Sequence, residues 1–304
     1  MDRLEGMRLF VRVAEMGSFV AVANQTNVAR SVVTRQVAAL EAHLGTKLIA
    51  RSTRRLSLTS AGALYLEKCR EILGLVEVAE SELTDNRQAP RGLIRITLPL
   101  SFGVRQLTPL LGDFLRENPA IALELDFNDR RVNLIEGGFD LAIRIADRLE
   151  GGDVARKIGS SRDVTVASPD YLARHGRPRH PDDLAAHTCL SYLLVHRGGW
   201  AYRVDDELRW FDAKSRLQAN NGDALIAAAT QGLGITRAPT FIAEQALRSG
   251  ALEIILADFA TPELGIYAVF PGNRYVPHRV RALVDFLAAR IGPRPPWDAI
   301  LGDR

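Results

Sequence analysis

Val28-Ala-Arg-Ser-Val-Val-Thr-Arg-Gln-Val-Ala-Ala-Leu-Glu-Ala-His-Leu-Gly45 and, shortly after it, Arg51-Ser-Thr-Arg-Arg-Leu-Ser-Leu-Thr59 decide how the first part of this chain folds. In the first segment Val33, Val37, Leu40 and Leu44 recur at i, i+4, i+7 and i+11, which makes one buried helical stripe. Arg30, Ser31, Thr34, Arg35 and Ala38 face away from that stripe. Cationic, hydroxylic and small side chains of this kind can enter a DNA major groove. The second segment has a basic tip at Arg51, Arg54 and Arg55, and Leu56 and Leu58 then alternate as in a strand, which suits a short hairpin.

Working back toward the N-terminus, Leu4, Met7, Phe10, Val11 and Ala14 give an amphipathic first helix. Gly17 ends it, because glycine reaches the left-handed geometry of a helix C-terminus cheaply. Ser18 then caps a second helix whose inner face is Phe19, Val22 and Ala23, and the turn from Asn24 to Val28 leads into the candidate recognition helix. From Val28 to Leu58 the basic residues are Arg30, Arg35, Lys47, Arg51, Arg54 and Arg55, and the only acid is Glu41. The 304-residue chain carries a formal charge of only +3, so its positive field is concentrated here. A basic helix with an adjacent basic loop is the electrostatic footprint of phosphate binding. A solvated charged face on an ordinary helical domain is the plainer alternative, against which stands the helix-turn-helix spacing.

This stretch resembles the LysR-type transcriptional regulators. The resemblance rests on Leu9-Phe-Val-x-Val-Ala, Gly17-Ser-Phe, Val28-Ala-Arg-Ser-Val-Val-Thr-Arg-Gln-Val, Leu40-Glu-x-x-Leu-Gly and Arg51-Ser-Thr-Arg-Arg-Leu-Ser-Leu-Thr-x-Ala-Gly62. The length of the remaining chain and its order of elements fit the same family. Three positions depart from it: Ala29 stands where Ser or Thr usually caps the recognition helix, Arg30 where a neutral polar residue is common, and Thr26 where Leu is usual. Losing a capping hydroxyl costs about 1 kcal/mol. The family's base preferences therefore do not transfer to this chain.

Composition is that of a globular protein, 47% apolar and 25% charged. There is no apolar run of membrane-spanning length, and the N-terminus reads as an amphipathic helix rather than a secretory signal. The two cysteines, Cys69 and Cys189, fall in different expected domains, so a structural disulfide is not expected and a reducing cytoplasm is. His175, His180, His187 and His196 have no zinc-like spacing with cysteine, and neither a P-loop nor a nucleophile elbow is present. The expectation is a protein that is not an enzyme and needs neither metal nor cofactor.

Thr59 is placed to cap a long helix from Ser60 to about Arg87, roughly 40 Å in length. Leu66, Cys69, Leu73, Val76, Glu80 and Leu83 follow a coiled-coil spacing along it. The same spacing suits a helix packed on its own domain. The resemblance implies that it links the domains and pairs with its copy in a dimer or tetramer. Gln88-Ala-Pro-Arg-Gly92 reads as a hinge.

Beyond the hinge, strands are expected at Leu93–Thr97, Ile121–Phe127, Asp140–Ile145, Val164–Ala167, Cys189–Tyr192 and Ile266–Phe270, with two more near Tyr202 and Leu208. Helices are expected at Val104–Glu117 with a break near Pro109, before Gly137-Gly138, and at Asp223–Thr230, Phe241–Leu247 and Arg279–Ile291. Alternating β and α elements imply parallel sheets covered by helices. The expected organisation is therefore α/β overall: a winged helix-turn-helix domain over 1–59, a linker helix and hinge over 60–90, and a two-lobed domain over 91–304. By resemblance the last has a periplasmic-binding-protein-like fold, one lobe about 91–162 with 266–304 and the other about 163–265.

An effector cleft belongs at strand C-termini, where helices begin and backbone N–H groups are free. Leu98-Pro-Leu-Ser101-Phe102-Gly103 follows the first strand, and the Ser101 hydroxyl and neighbouring N–H groups can hold a carboxylate or serve as a simple helix cap. Asn221 precedes a second helix, Arg144 stands near a strand end where a guanidinium can pair with an anion or make a salt bridge across the lobe, and Arg237 lies near a lobe crossing. Phe102, Asn128 and Ser191 complete the candidate set.

The leading expectation is a regulator that binds double-stranded DNA and the transcription machinery under control of a small organic anion. The DNA contacts would come from Ser18, Arg30, Ser31, Thr34, Arg35, Arg51, Arg54 and Arg55, and self-association from Leu66, Cys69, Leu73, Val76 and Leu83. A solute-binding protein explains residues 93–304 but leaves the basic domain idle, and an enzyme with an attached helical domain lacks a signature.

Overall fold

Gly17 and Ser18 make the first corner of the chain. Gly17 sits at φ 61° and closes α1 (Arg3–Met16). The Ser18 hydroxyl accepts from the Ala21 N–H at 3.2 Å and opens α2 (Phe19–Thr26). The next helix, α3 (Arg30–Leu44), begins at Ala29, which offers no side-chain cap. A hairpin of β1 (Ile49–Arg51) and β2 (Leu56–Leu58) follows, paired antiparallel from Ile49 with Leu58 to Arg51 with Leu56. The computed structural model describes residues 2–51, 56–83, 89–149, 154–194, 199–259, 261–272, 276–292 and 295–302.

Val33, Val37 and Leu40 of α3 are buried against Leu9, Phe10 and Val13 of α1 and Val22 of α2, each burial contributing about 1.5–3 kcal/mol. The long helix α4 (Ser60–Leu83) starts under a Thr59 cap, whose hydroxyl accepts from the Gly62 N–H at 2.9 Å and donates to the Lys47 carbonyl at 2.7 Å. Gly62 lies so close to Leu48 that a Cβ would meet the Leu48 carbonyl oxygen at 1.9 Å. The wing and the long helix are thereby fixed to each other by backbone approach.

Two compact units result, one of residues 1–88 with 275–278, the other of 89–274 with 279–304. The second contains two five-stranded sheets. The first sheet is built from β3 (Gly92–Leu98), β4 (Ile121–Phe127), β5 (Leu141–Ala146), β6 (Val154–Ser161) and β14 (Leu264–Phe270), in the order β4-β3-β5-β14-β6. The second contains β7 (Asp163–Ala167), β8 (Cys189–Tyr192), β11 (Ser215–Ala219), β12 (Ile235–Pro239) and β13 (Glu253–Ile255), in the order β11-β8-β12-β7-β13. Between β8 and β11 a separate hairpin is formed by β9 (Trp200–Val204) and β10 (Glu207–Phe211).

The sheets are mixed rather than parallel, which corrects the expectation. β14 runs antiparallel to both β5 and β6, and β7 antiparallel to both β12 and β13. The cause is the double crossing: the chain leaves the first sheet at Arg162 and returns at Leu264, so the crossing strands enter each sheet against the grain of the local β-α-β units.

Helices cover these sheets. A continuous helical run follows β3: α5 (Leu100–Phe102), a π turn at Gly103–Leu107, then α6 (Thr108–Glu117). It starts four residues earlier than the periodicity suggests. The irregularity is a π turn, where the Thr108 hydroxyl donates to the Gly103 carbonyl at 2.9 Å ahead of Pro109, which has no N–H to give. The helix expected before Gly137-Gly138 is only a turn of 134–138, organised by the Asn133 side chain accepting from Ile135 N–H at 3.1 Å. The remaining helices are α7 (Pro169–His175), α8 (Gly222–Thr230), α9 (Thr240–Arg248) and α10 (His278–Ile291), with a final 3-10 segment at Pro296–Leu301.

Candidate DNA interface and effector cleft

Because Val33, Val37 and Leu40 point inward, α3 presents Arg30, Ser31 and Arg35 to solvent, with Thr34 half-buried beside them. Neither Arg30 nor Arg35 forms an ion pair among the described residues. Ser18 is half-buried and its oxygen is already used in capping α2, although its own hydroxyl hydrogen remains available to an acceptor. Arg54 and Arg55 lie outside the described residues, as does the Arg51 side chain.

Glu41, the lone acid of this stretch, is not part of the exposed face. It is 5% exposed and accepts from Lys47 Nζ at 2.7 Å, Leu48 N–H at 3.0 Å and Ile49 N–H at 3.1 Å. Burial alone would raise its carboxyl, but Lys47 and the two backbone donors together hold it below the usual carboxylate range. Lys47 thereby shares its charge with Glu41, although its side chain stays 74% exposed. The exposed field of α3 itself has no opposing carboxylate on the same segment, since Glu41 faces the wing.

The expected self-association seam needs a correction. Leu66 and Cys69 are buried in the core of the first unit, packed with α1 and the hairpin, and Arg70 ties α4 to α1 through Glu15 at 3.2 Å. These two residues are therefore unavailable to another chain. Leu73 and Val76 are half-buried, and the Leu83 side chain lies outside the described residues. The apolar residues that α4 leaves exposed are Leu64, Ile72 and Leu75, at 74%, 37% and 59%. With Ala79 they fall at i, i+8, i+11 and i+15, a stripe on a different face of the helix. The helix-on-its-own-domain alternative thus holds for the first two turns of α4.

In the second unit the starts of α5 and α8 come together. Asn221 caps α8 by accepting from the Ala224 N–H at 3.0 Å. Ser101 does not cap α5, whose N-cap is Pro99; its hydroxyl donates instead to Asp223 at 2.5 Å. Arg105 donates to the other oxygen of Asp223 from Nε at 2.9 Å and Nη2 at 2.6 Å. The first N–H of α5, that of Leu100, donates to Asp129 at 2.9 Å. Burial raises the Asp129 carboxyl; the Leu100 N–H and Arg144 oppose that, and the charge of Asp223 adds to it. The neighbouring Tyr192 hydroxyl is also raised, by burial and then by Asp129.

The other expected effector residues fall into different surroundings. Phe102 is fully buried and packs edge-on against Phe241 at 4.9 Å and Trp297 at 5.4 Å, so it supports α5 from behind rather than lining a cleft. Ser191 shares a hydroxyl–hydroxyl hydrogen bond with Ser215. Asn128 spends its side chain on the Arg130 N–H at 2.9 Å, while its carbonyl lies 3.5 Å from Arg144. Arg237 pairs with Asp163 at 3.2 Å and donates to the Ala201 carbonyl at 3.1 Å. Burial raises Asp163, Arg237 lowers it, and Asp147 raises it further. Around Ser101, Asn221 and Arg144, which the sequence singled out, the structure gathers Arg105, Asp129, Tyr192 and Asp223, which it did not. Asp223 carried a weak signal, an acid in the first turn of a helix, but its partner Arg105 is 118 residues away.

Among the described residues no cluster of His, Cys, Asp and Glu is arranged to hold a metal ion, and no helix is long and apolar enough to cross a membrane. Residues 4–63 match the family described as bacterial regulatory helix-turn-helix protein, lysR family, and residues 87–292 match the LysR substrate binding domain. An HTH-type transcriptional regulator of Xanthomonas campestris pv. campestris is 38% identical over 288 residues, 93% of this chain and 84% of that one. The structure of CrgA, a LysR-type transcriptional regulator from Neisseria meningitidis, is 32% identical with a TM-score of 0.61, covering 95% of this chain and 98% of that one. The full-length Vibrio cholerae virulence activator AphB is 29% identical with a TM-score of 0.58, covering 94% and 98%. These relatives are named as regulators, not as enzymes.

Proposed function

The chain belongs to the LysR family of bacterial DNA-binding transcriptional regulators, and on that premise we propose that α3 reads duplex DNA through Arg30, Ser31, Thr34 and Arg35. The observation that carries this reading is the two-sidedness of α3, a buried Val33-Val37-Leu40 stripe opposite an exposed cationic and hydroxylic face. Arg30 and Arg35 have forks suited to guanine O6 and N7 or to phosphate. Ser18 and the wing residues Arg51, Arg54 and Arg55 contact the phosphate backbone on either side. The protein works in the cytoplasm, where it meets the genome and the transcription machinery.

It acts as a homodimer or a higher oligomer, paired through the stripe of Leu64, Ile72 and Leu75 on α4. A two-fold dimer asks for a roughly palindromic operator with half-sites spaced by whole helical turns. The effector is a small organic anion that enters between the two sheets of the second unit and meets Ser101, Arg105, Arg144 and the start of α8. Binding shifts the balance between two lobe arrangements only through differential affinity for them.

Sequencing the duplex fragments that the purified protein retains from a genomic pool tests the reading. Recurrent sites with two-fold symmetry are expected. Retention without any shared sequence would refute specific recognition by α3.

A further inference from the structure

The first helix of the second unit offers two anion-binding groups, the Leu100 N–H and the Ser101 hydroxyl, and both are already taken by carboxylates of the same chain, Asp129 and Asp223. Asp129 belongs to the first sheet's own lobe, directly after β4. Asp223 does not. It is carried by α8, which follows β11 of the second sheet, and it reaches across to Ser101 and Arg105 on the run that follows β3. Three hydrogen bonds, all to one carboxylate, therefore join the two lobes, beside the packing of Phe102 on Phe241 and the hydrogen bond between the Ser161 and Thr240 hydroxyls. Ser101 is 6% exposed, so its hydroxyl has little solvent to compensate for a lost acceptor, and the Arg105 fork gives Asp223 two donors on a single oxygen.

We propose that Asp223 is a built-in latch of the cleft: bound to Ser101 and Arg105, it holds the lobes closed in the absence of effector, and an anionic effector has to displace it. The second half rests on the effector reading above; the first half does not. Asp223 sits in the first turn of its own helix, where the unpaired N–H groups and the helix dipole favour a carboxylate. Displacement then leaves Asp223 a stable alternative position at the start of α8, with Asn221 still capping the helix. The effector's apparent affinity is lowered by the closed fraction, so loosening the latch should raise that affinity and shift the resting state toward the liganded arrangement.

The latch can be read without DNA or effector by measuring a distance between the lobes. Ala120→Cys and Ala173→Cys place labels on exposed sites, one just before β4 and one on α7, while the native Cys69 and Cys189 are buried and remain unlabelled. Spin-label distances are measured in the full chain, diluted with unlabelled protein so that only distances within a protomer count. The parent should give one narrow distribution. Asp223→Ala, Asp223→Asn and Arg105→Ala should each add a longer distance, with a roughly tenfold rise in the open-to-closed ratio for a charged hydrogen-bonded pair that is about one-third exposed. The exchanged pair, Arg105→Asp with Asp223→Arg, should return the distribution toward the parent's, which a merely damaged fold would not do. Parent-like distributions in all three single variants, or an exchanged pair no better than the singles, would overturn the latch. Either result is obtained without effector, so the latch and the effector reading fail separately.

Discussion

Removing Glu41 should loosen the DNA-binding unit from the inside without touching its DNA-facing side. Glu41→Ala leaves two buried donors, the Leu48 and Ile49 N–H groups, with no acceptor, and each such group costs about 1–3 kcal/mol. Lys47 is 74% exposed, so its ion pair adds less than about 1 kcal/mol. The sum is about 2–7 kcal/mol. Glu41→Gln keeps the oxygen that serves both N–H groups and should lose only about 1 kcal/mol. All three tryptophans, Trp200, Trp210 and Trp297, belong to the second unit. Tryptophan fluorescence therefore follows the second unit alone, and far-ultraviolet circular dichroism follows both. For a unit of this size about 1 kcal/mol moves the midpoint by about 4–8 °C. Glu41→Ala should lower the dichroism-detected transition of the first unit by at least about 8 °C and leave the fluorescence transition in place. The folded carboxyl lies below its unfolded value. Its stabilisation is thus fully present above the unfolded carboxylate pKa and is lost as pH falls through the folded one, so the gap between parent and Glu41→Ala should narrow in acid. A Glu41→Ala transition within about 2 °C of the parent at neutral pH would refute the claim that these bonds hold α3 to the wing.

Leu75→Asp should yield folded monomers by sedimentation, because Leu75 is 59% exposed on α4; an intact oligomer would remove this stripe as the contact, whereas Cys69→Asp should unfold the first unit outright. Burial pushes the Cys69 thiol up to about 11 and the Cys189 thiol up to about 12, so Ellman's reagent at pH 8 should find no fast thiol in the native protein and both in urea. A fast-reacting native thiol would contradict that burial. Arg30→Gln should move the base preference at one operator position from guanine toward adenine, at about 1–3 kcal/mol on the original site; an unchanged base profile would mean that Arg30 touches only phosphate.

The winged helix was legible because its signals are local. Gly17 and Ser18 mark a corner, and the Val33-Val37-Leu40 stripe marks a face, within a few residues of each other. What local patterning misjudged was the fate of charges and apolar positions with two possible partners. Lys47 counts toward the basic field of the segment but pairs with Glu41, and Leu66 and Cys69 read as a seam but are absorbed by the core of their own unit. β6, with its Arg156-Lys157 run and two closing serines, shows neither alternation nor an apolar run, and β11 and β13 are similarly short or polar edge strands, so none of the three was expected. In the cleft the sequence left Ser101 to hold an effector carboxylate or to cap its helix, and its hydroxyl instead donates to Asp223 of the same chain. Asp223 lies 122 residues from Ser101, and pairing over that separation depends on how the sheets cross.

The most direct test of DNA recognition by the exposed face of α3 is affinity for a selected duplex and for a scrambled one across a salt series. We expect the selected duplex to bind at least about a thousandfold tighter at physiological salt, with both affinities falling as salt rises. Arg35→Ala should weaken the selected duplex more than the scrambled one. Equal affinity for the two duplexes at every salt concentration would contradict sequence reading by α3 altogether.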